Sequence, residues 1–89
     1  MKKQIWKFEL PSHRVNKIMM PGGAEVISCA NQGGRLQIWA VVDPASNLVE
    51  RKFDVIMTGE DIEKAKRSFI QTVLLNAGTY VVHVFELHG

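Results

Sequence analysis

Along most of this chain apolar and polar residues alternate one by one. In the stretch KQIWKFEL, Trp6, Phe8 and Leu10 fall on one face and Lys7 and Glu9 on the other, the period of a half-buried strand. Pro11 removes a backbone donor and ends it. RVNKIMM is a weaker strand candidate, closed by the turn signal Pro21-Gly22-Gly23. AEVISCANQ and RLQIWAVVD flank Gly33-Gly34 and predict a tight hairpin, because both central positions of such a turn take positive φ. On RLQIWAVVD, Leu36, Ile38, Ala40 and Val42 form one apolar face; Trp39 lies on the other with Gln37 and Val41, and with Arg35 and Asp43 further out.

After the polar loop DPASNLVE, the stretch RKFDVIMTG alternates again, with Phe53, Val55 and Met57 inward and Lys52 and Asp54 outward. TGEDIEKAKRSF breaks the period. Thr58 can cap, Glu60, Asp61 and Glu63 occupy a first turn, and Lys64, Lys66 and Arg67 a last one, a charge order that complements a helix dipole. Ile62, Ala65 and Phe69 then share a face, which predicts one short helix near residues 60–68. FIQTVLLN and TYVVHVFEL follow as a second hairpin turning at Ala77-Gly78. On the final strand Tyr80, Val82 and Val84 point one way and Val81, Phe85 and Leu87 the other. Apolar residues on both faces mark a strand covered on both sides, inside a domain or at a subunit interface. The expected fold is mainly β (α+β): a small antiparallel β-sandwich or barrel of about six or seven strands with one short helix, in a single domain over residues 1–89.

Length agrees with one domain, since 89 residues support one thin core. A single cysteine, Cys29, excludes an internal disulfide framework and fits a reducing, cytoplasmic setting. The opening MKKQIWKFELPSHR lacks the apolar run of a secretory leader, and no stretch approaches the roughly 18 apolar residues of a membrane span, so no membrane partner is expected. A formal net charge of +2 permits acidic partners without demanding them.

The chain carries no pattern for catalysis, a metal or a cofactor. His83 has no carboxylate linked to it by spacing and reads as a hydrogen-bonded or rim histidine. Cys29 on an apolar strand reads as inert packing, and His13, His83 and His88 lack ligand spacing. Gly22-Gly23 and Gly33-Gly34 are turns, because a phosphate loop needs a lysine and a helix after the glycines. Lys2, Lys3, Lys7, Arg14 and Lys17 cluster near the start with Trp6 among them and are the candidate nucleic-acid contacts. Alternation turns Trp6 to the core face with Phe8 and Leu10, which makes core packing its better reading and a solvated strand edge the favoured role of the lysines. Trp39 serves equally as a contact anchor or as second-layer core, and Trp39, Arg35, Gln37, Tyr80 and His83 are the candidate interface residues.

Several segments together resemble a family of small bacteriophage proteins with the pattern K-x-I-W-K-(Y/F)-x-L, M-P-x-G-A-x-I-L, L-W-A-L-V-D-P and H-V-F-E. The matching positions are Lys3, Ile5, Trp6, Lys7 and Leu10; Met20, Pro21, Gly23 and Ala24; Trp39, Ala40, Val42, Asp43 and Pro44; and His83, Val84, Phe85 and Glu86. The glycine-rich GTGHP-like turn of those relatives is replaced here by MTGEDIEKAKRSF. The resemblance implies a phage or prophage origin, a location in the bacterial host cytoplasm and no established enzymatic activity. The expected role is a non-enzymatic accessory protein that binds a host macromolecule, with inhibition of a defence system such as CRISPR as an analogy. A nucleic-acid or nucleotide binder using the N-terminal cations is the first alternative, and a self-associating structural phage protein the second.

Overall fold

The computed structural model describes residues 2–89 and contains seven strands. They are β1 (Gln4–Glu9), β2 (Arg14–Pro21), β3 (Glu25–Gln32), β4 (Arg35–Val42), β5 (Leu48–Met57), β6 (Arg67–Leu75) and β7 (Tyr80–Leu87). All pairings are antiparallel, in a three-stranded sheet of order β1-β4-β3 and a four-stranded sheet of order β2-β5-β7-β6. The two sheets face each other as a small sandwich, and β3 and β6 pack together along one side.

The alternation read from the chain sets which side chains meet between the sheets. Leu36, Ile38, Ala40 and Val42 of β4 are buried, as are Phe53 and Val55 of β5 and Val82 and Val84 of β7. Trp6 and Phe8 are half-buried against this core, and Leu10 is fully buried. The hairpin between β3 and β4 turns where expected, with φ of 61° at Gly33 and 85° at Gly34, values that an L side chain adopts only with strain. At one end Arg51 holds Glu86 through two hydrogen bonds of 2.6 and 2.8 Å and donates to the Ala24 carbonyl, so the four-stranded sheet is tied to the turn that leads into β3.

The expected helix over residues 60–68 does not form. Residues 58–66 run instead as a turn and an irregular strap, and Arg67 already belongs to β6. A helix over the whole connection falls short of the span, and contacts with other elements replace its internal hydrogen bonds. Met57 lies opposite Val82 and Arg67 opposite Leu87, at opposite ends of β7 and on its two flanks. That diagonal is about 19 Å, from five residues of strand and two strand spacings. Ten helical steps would cover only about 15 Å. The ten steps from Met57 to Arg67 average about 1.9 Å each, between helix and strand, and the strap crosses the outer face of the four-stranded sheet as irregular chain. Gly59, at φ 93°, makes the turn that starts it. The carbonyls a helix would have used are taken by arginines, since Arg14 donates to the Asp61 carbonyl (3.2 Å) and Arg67 to the Glu63 carbonyl (3.0 Å).

The strap also corrects the expected exposure of Asp54. Its side chain does point outward from the sandwich, between Val15 of β2 and Phe85 of β7, yet Asp54 is only 2% exposed. Arg14 Nε donates to it at 3.1 Å and Arg67 Nη1 at 3.0 Å. Two guanidinium groups satisfy the carboxylate that the covering chain takes from water. The final strand, by contrast, is covered unequally. β7 lies centrally between β5 and β6, with Val82 and Val84 buried toward the core and Val81, Phe85 and Leu87 half-buried on the outer face.

Candidate functional site

Three loops meet at one end of the sandwich. They are the β1–β2 connection, the tip of the β3–β4 hairpin and the β6–β7 hairpin, and a pocket of about 400 Å³ opens between the sheets beneath them. Its floor is apolar: Leu10, Leu36, Val55 and Val82 are buried core residues whose outer atoms face the opening, joined by the partly buried Met57 and Leu75. Its rim is polar, with Glu9, Ser12, His13, Arg35 and Tyr80.

The chain is held in unusual conformations around this opening. Arg14 takes φ of 67°, Asn76 49° and Ala77 55°, a region that costs a non-glycine residue about 1–2 kcal/mol. Fixed hydrogen bonds retain them. The Asn16 side chain, 3% exposed, accepts from the Ser12 N–H at 2.8 Å and donates to the Ser12 and Arg14 carbonyls at 2.8 and 3.0 Å. The β6–β7 turn closes with Gly78 N–H to the Leu75 carbonyl (3.0 Å) and Thr79 N–H to the Asn76 carbonyl (3.1 Å). Leu10 N–H donates to the Leu36 carbonyl at 2.9 Å, which carries the β1–β4 ladder to the lip of the pocket. Strained backbone persists where its surroundings over-determine it, and such places gather at binding sites.

The ionisable side chains Glu9, Arg35 and His13 of the rim each have a partner. Arg35 Nη1 donates to Glu9 Oε1 at 3.1 Å, and His13 Nε2 lies 2.7 Å from Glu60 Oε1. The His13 contact and the Met57 N–H that donates to the same carboxylate at 2.6 Å hold Glu60 below the usual carboxylate range. His13 and Glu60 thus pin the strap to the β1–β2 loop. No spacing in the chain could reveal this pair, because its partners are 47 residues apart.

Of the five candidate interface residues, the fold brings two to this pocket. Arg35 and Tyr80 stand on its rim, Tyr80 being 48% exposed. Trp39 and Gln37 lie on the outer face of the three-stranded sheet, Trp39 half-buried beside Lys7 and Ser28, and Gln37 buried. His83 lies on the outer face of the four-stranded sheet, its Nε2 bonded to Thr58 Oγ1 at 2.7 Å and its Nδ1 to Thr72 Oγ1 at 3.0 Å. A neutral imidazole needs one donor and one acceptor, and two hydroxyls supply them.

The candidate basic residues are dispersed. Lys2 and Lys3 are exposed ahead of β1; Lys7 projects from the three-stranded sheet and donates to Gln32 Oε1 at 2.8 Å; Arg14 is committed to Asp54; Lys17 projects from β2 on the other sheet. Cys29 is 4% exposed inside the sandwich, on the other side of the four-stranded sheet from His83, and burial pushes its thiol up to about 11. Among the described residues, no group of three or more His, Cys, Asp or Glu is placed to hold a metal ion. No helix of the described residues is long and apolar enough to cross a membrane. The residues that shape the pocket but carry no distinctive pattern in the chain are Leu10, Met57, Leu75 and Val82. Each reads as an ordinary core residue until the loops around it are in place.

A family model described as a domain of unknown function, DUF7352, matches residues 1–89. No curated protein and no solved structure matches.

Proposed function

We propose that this chain, which belongs to the DUF7352 family, is a non-enzymatic binding protein that seats an apolar side chain of a protein partner in the pocket at the end of its sandwich. The observation that carries this reading is the pocket itself, about 400 Å³ with an apolar floor and the exposed ring of Tyr80 at its rim. The volume lies within the range of roughly 300–1,000 Å³ common for binding sites. Burying one leucine or phenylalanine there is worth about 1.5–3 kcal/mol, the size of an interface anchor. The partner supported by the phage-like motifs is a host protein in the bacterial cytoplasm, and inhibition of a defence system is the role in keeping with it.

A photo-crosslinking residue at Tyr80, compared with one at the distant Trp39, tests the proposal in host lysate. The expected outcome is one discrete adduct from position 80, absent from position 39 and lost when Leu75→Trp fills the pocket. An adduct that survives Leu75→Trp, or none from any rim position, would overturn it. An adduct with a second copy of the chain would move the reading to self-association.

A further inference from the structure

The outer face of the four-stranded sheet carries two lysines, Lys17 and Lys52, on one side of the strap that crosses it, and an exposed aromatic ring, Phe69, on the other. The register sets Lys17 opposite Lys52, Lys52 opposite Leu87 and Leu87 opposite Arg67, so three cations lie in one row across all four strands. The row is roughly 14 Å long at about 4.8 Å per strand. Lys17 and Lys52 are exposed, and neither makes an ion pair among the described residues. Directly opposed like charges share a face and destabilise a sheet. An anion lying across both would reverse that penalty.

The adjoining row is Val15, Asp54, Phe85 and Phe69. Asp54 does not offset the lysines, because Arg14 and Arg67 already hold it. Phe69 is 59% exposed and is braced by Phe85 at 5.5 Å between ring centroids and 66° between planes. The Arg67 guanidinium in turn lies 5.6 Å from the Phe85 centroid. The ring of Phe69 is therefore presented to solvent rather than folded away. Cations that track phosphates next to an aromatic side chain are how single strands are held, since every base has a π-face.

We infer that this face binds single-stranded nucleic acid, with phosphates on Lys17 and Lys52 and a base stacked on Phe69. Of the basic residues near the start of the chain only Lys17 takes part, and the surface is separate from the pocket. A duplex does not fit the inference, because its bases offer no free face to Phe69. Glu50, placed opposite Met19 beside the two lysines, and the exposed Asp61 and Glu63 of the strap are carboxylates that would oppose the ligand.

The test is fluorescence anisotropy of a labelled oligothymidylate at low and physiological salt, on the intact chain and on variants whose thermal melts match it. Binding should weaken as salt rises, and Lys17→Glu with Lys52→Glu should abolish it. Phe69→Ala should weaken binding about tenfold and Phe69→Tyr should restore it, since stacking is lost in the first and kept in the second. Glu50→Gln should tighten it. Absence of binding at low salt overturns the inference. So does binding that ignores Phe69→Ala or is matched by polyphosphate of equal charge, either of which would describe a surface for anions in general or for an acidic protein.

Discussion

Asp54→Asn removes one charge from the most enclosed ion cluster of the fold while keeping the side chain's size. In the wild type the carboxylate is 2% exposed and accepts from Arg14 and from Arg67, whose own side chain is only 12% exposed. Taking one partner from a buried pair costs about 3–5 kcal/mol, because the remaining charge stays desolvated. Two features reduce that figure here. Arg14 is about a third exposed and can turn to water, and Arg67 keeps the Glu63 carbonyl. The expected loss is therefore about 2–3 kcal/mol, which for a domain of this size lowers Tm by roughly 10–20 °C. Urea and thermal unfolding followed by tryptophan fluorescence give the stability, and amide exchange over residues 58–66 reports the strap, which should open faster in the variant. If Asp54→Asn melts within about 2 °C of the wild type, or if exchange in the strap is unchanged, the carboxylate does not anchor the crossing.

Two further outcomes follow from the same geometry. Glu60 titrates lower in the folded chain than in the unfolded one, through His13 and the Met57 N–H, so its stabilisation is present above the ordinary carboxylate range and disappears as pH falls through its folded value. Stability measured across mildly acid pH should fall less steeply for Glu60→Gln than for the wild type, and parallel curves would refute the coupling. Cys29, with its thiol pushed up to about 11 inside the sandwich, should resist a disulfide reagent near pH 8 in the native state and react within minutes in denaturant. Rapid native labelling would show that the sandwich opens at β3.

Much of the β architecture can be read locally because a strand states its faces every second residue. Leu36, Ile38, Ala40 and Val42 declare the inner side of β4, and Gly33-Gly34 declares a turn that other residues would strain. The partner of each strand is not written locally. Nothing in KQIWKFEL says that it lies beside β4 in one sheet while the next strand joins β5 in the other. That choice places Leu10, Arg35 and Tyr80 around one opening, so Arg35 and Tyr80 could be nominated from their chemistry but not joined into a site.

The strap shows the opposite case, a clear local signal overruled. Residues 58–66 have the charge order of a helix, yet the Asp61 and Glu63 carbonyls and the Glu60 carboxylate are taken by partners on other elements, and the segment runs as irregular chain. Once that chain lies across the sheet, Asp54 passes from an outward residue to a buried one and recruits arginines from β2 and β6. Alternation is a property of neighbouring residues, and so the chain alone settled the strands and their inner faces. Burial of Asp54 on the outer face, the pairing of His13 with Glu60 and the row from Lys17 to Arg67 depend on segments distant in the chain, and only the assembled sheets could bring them together.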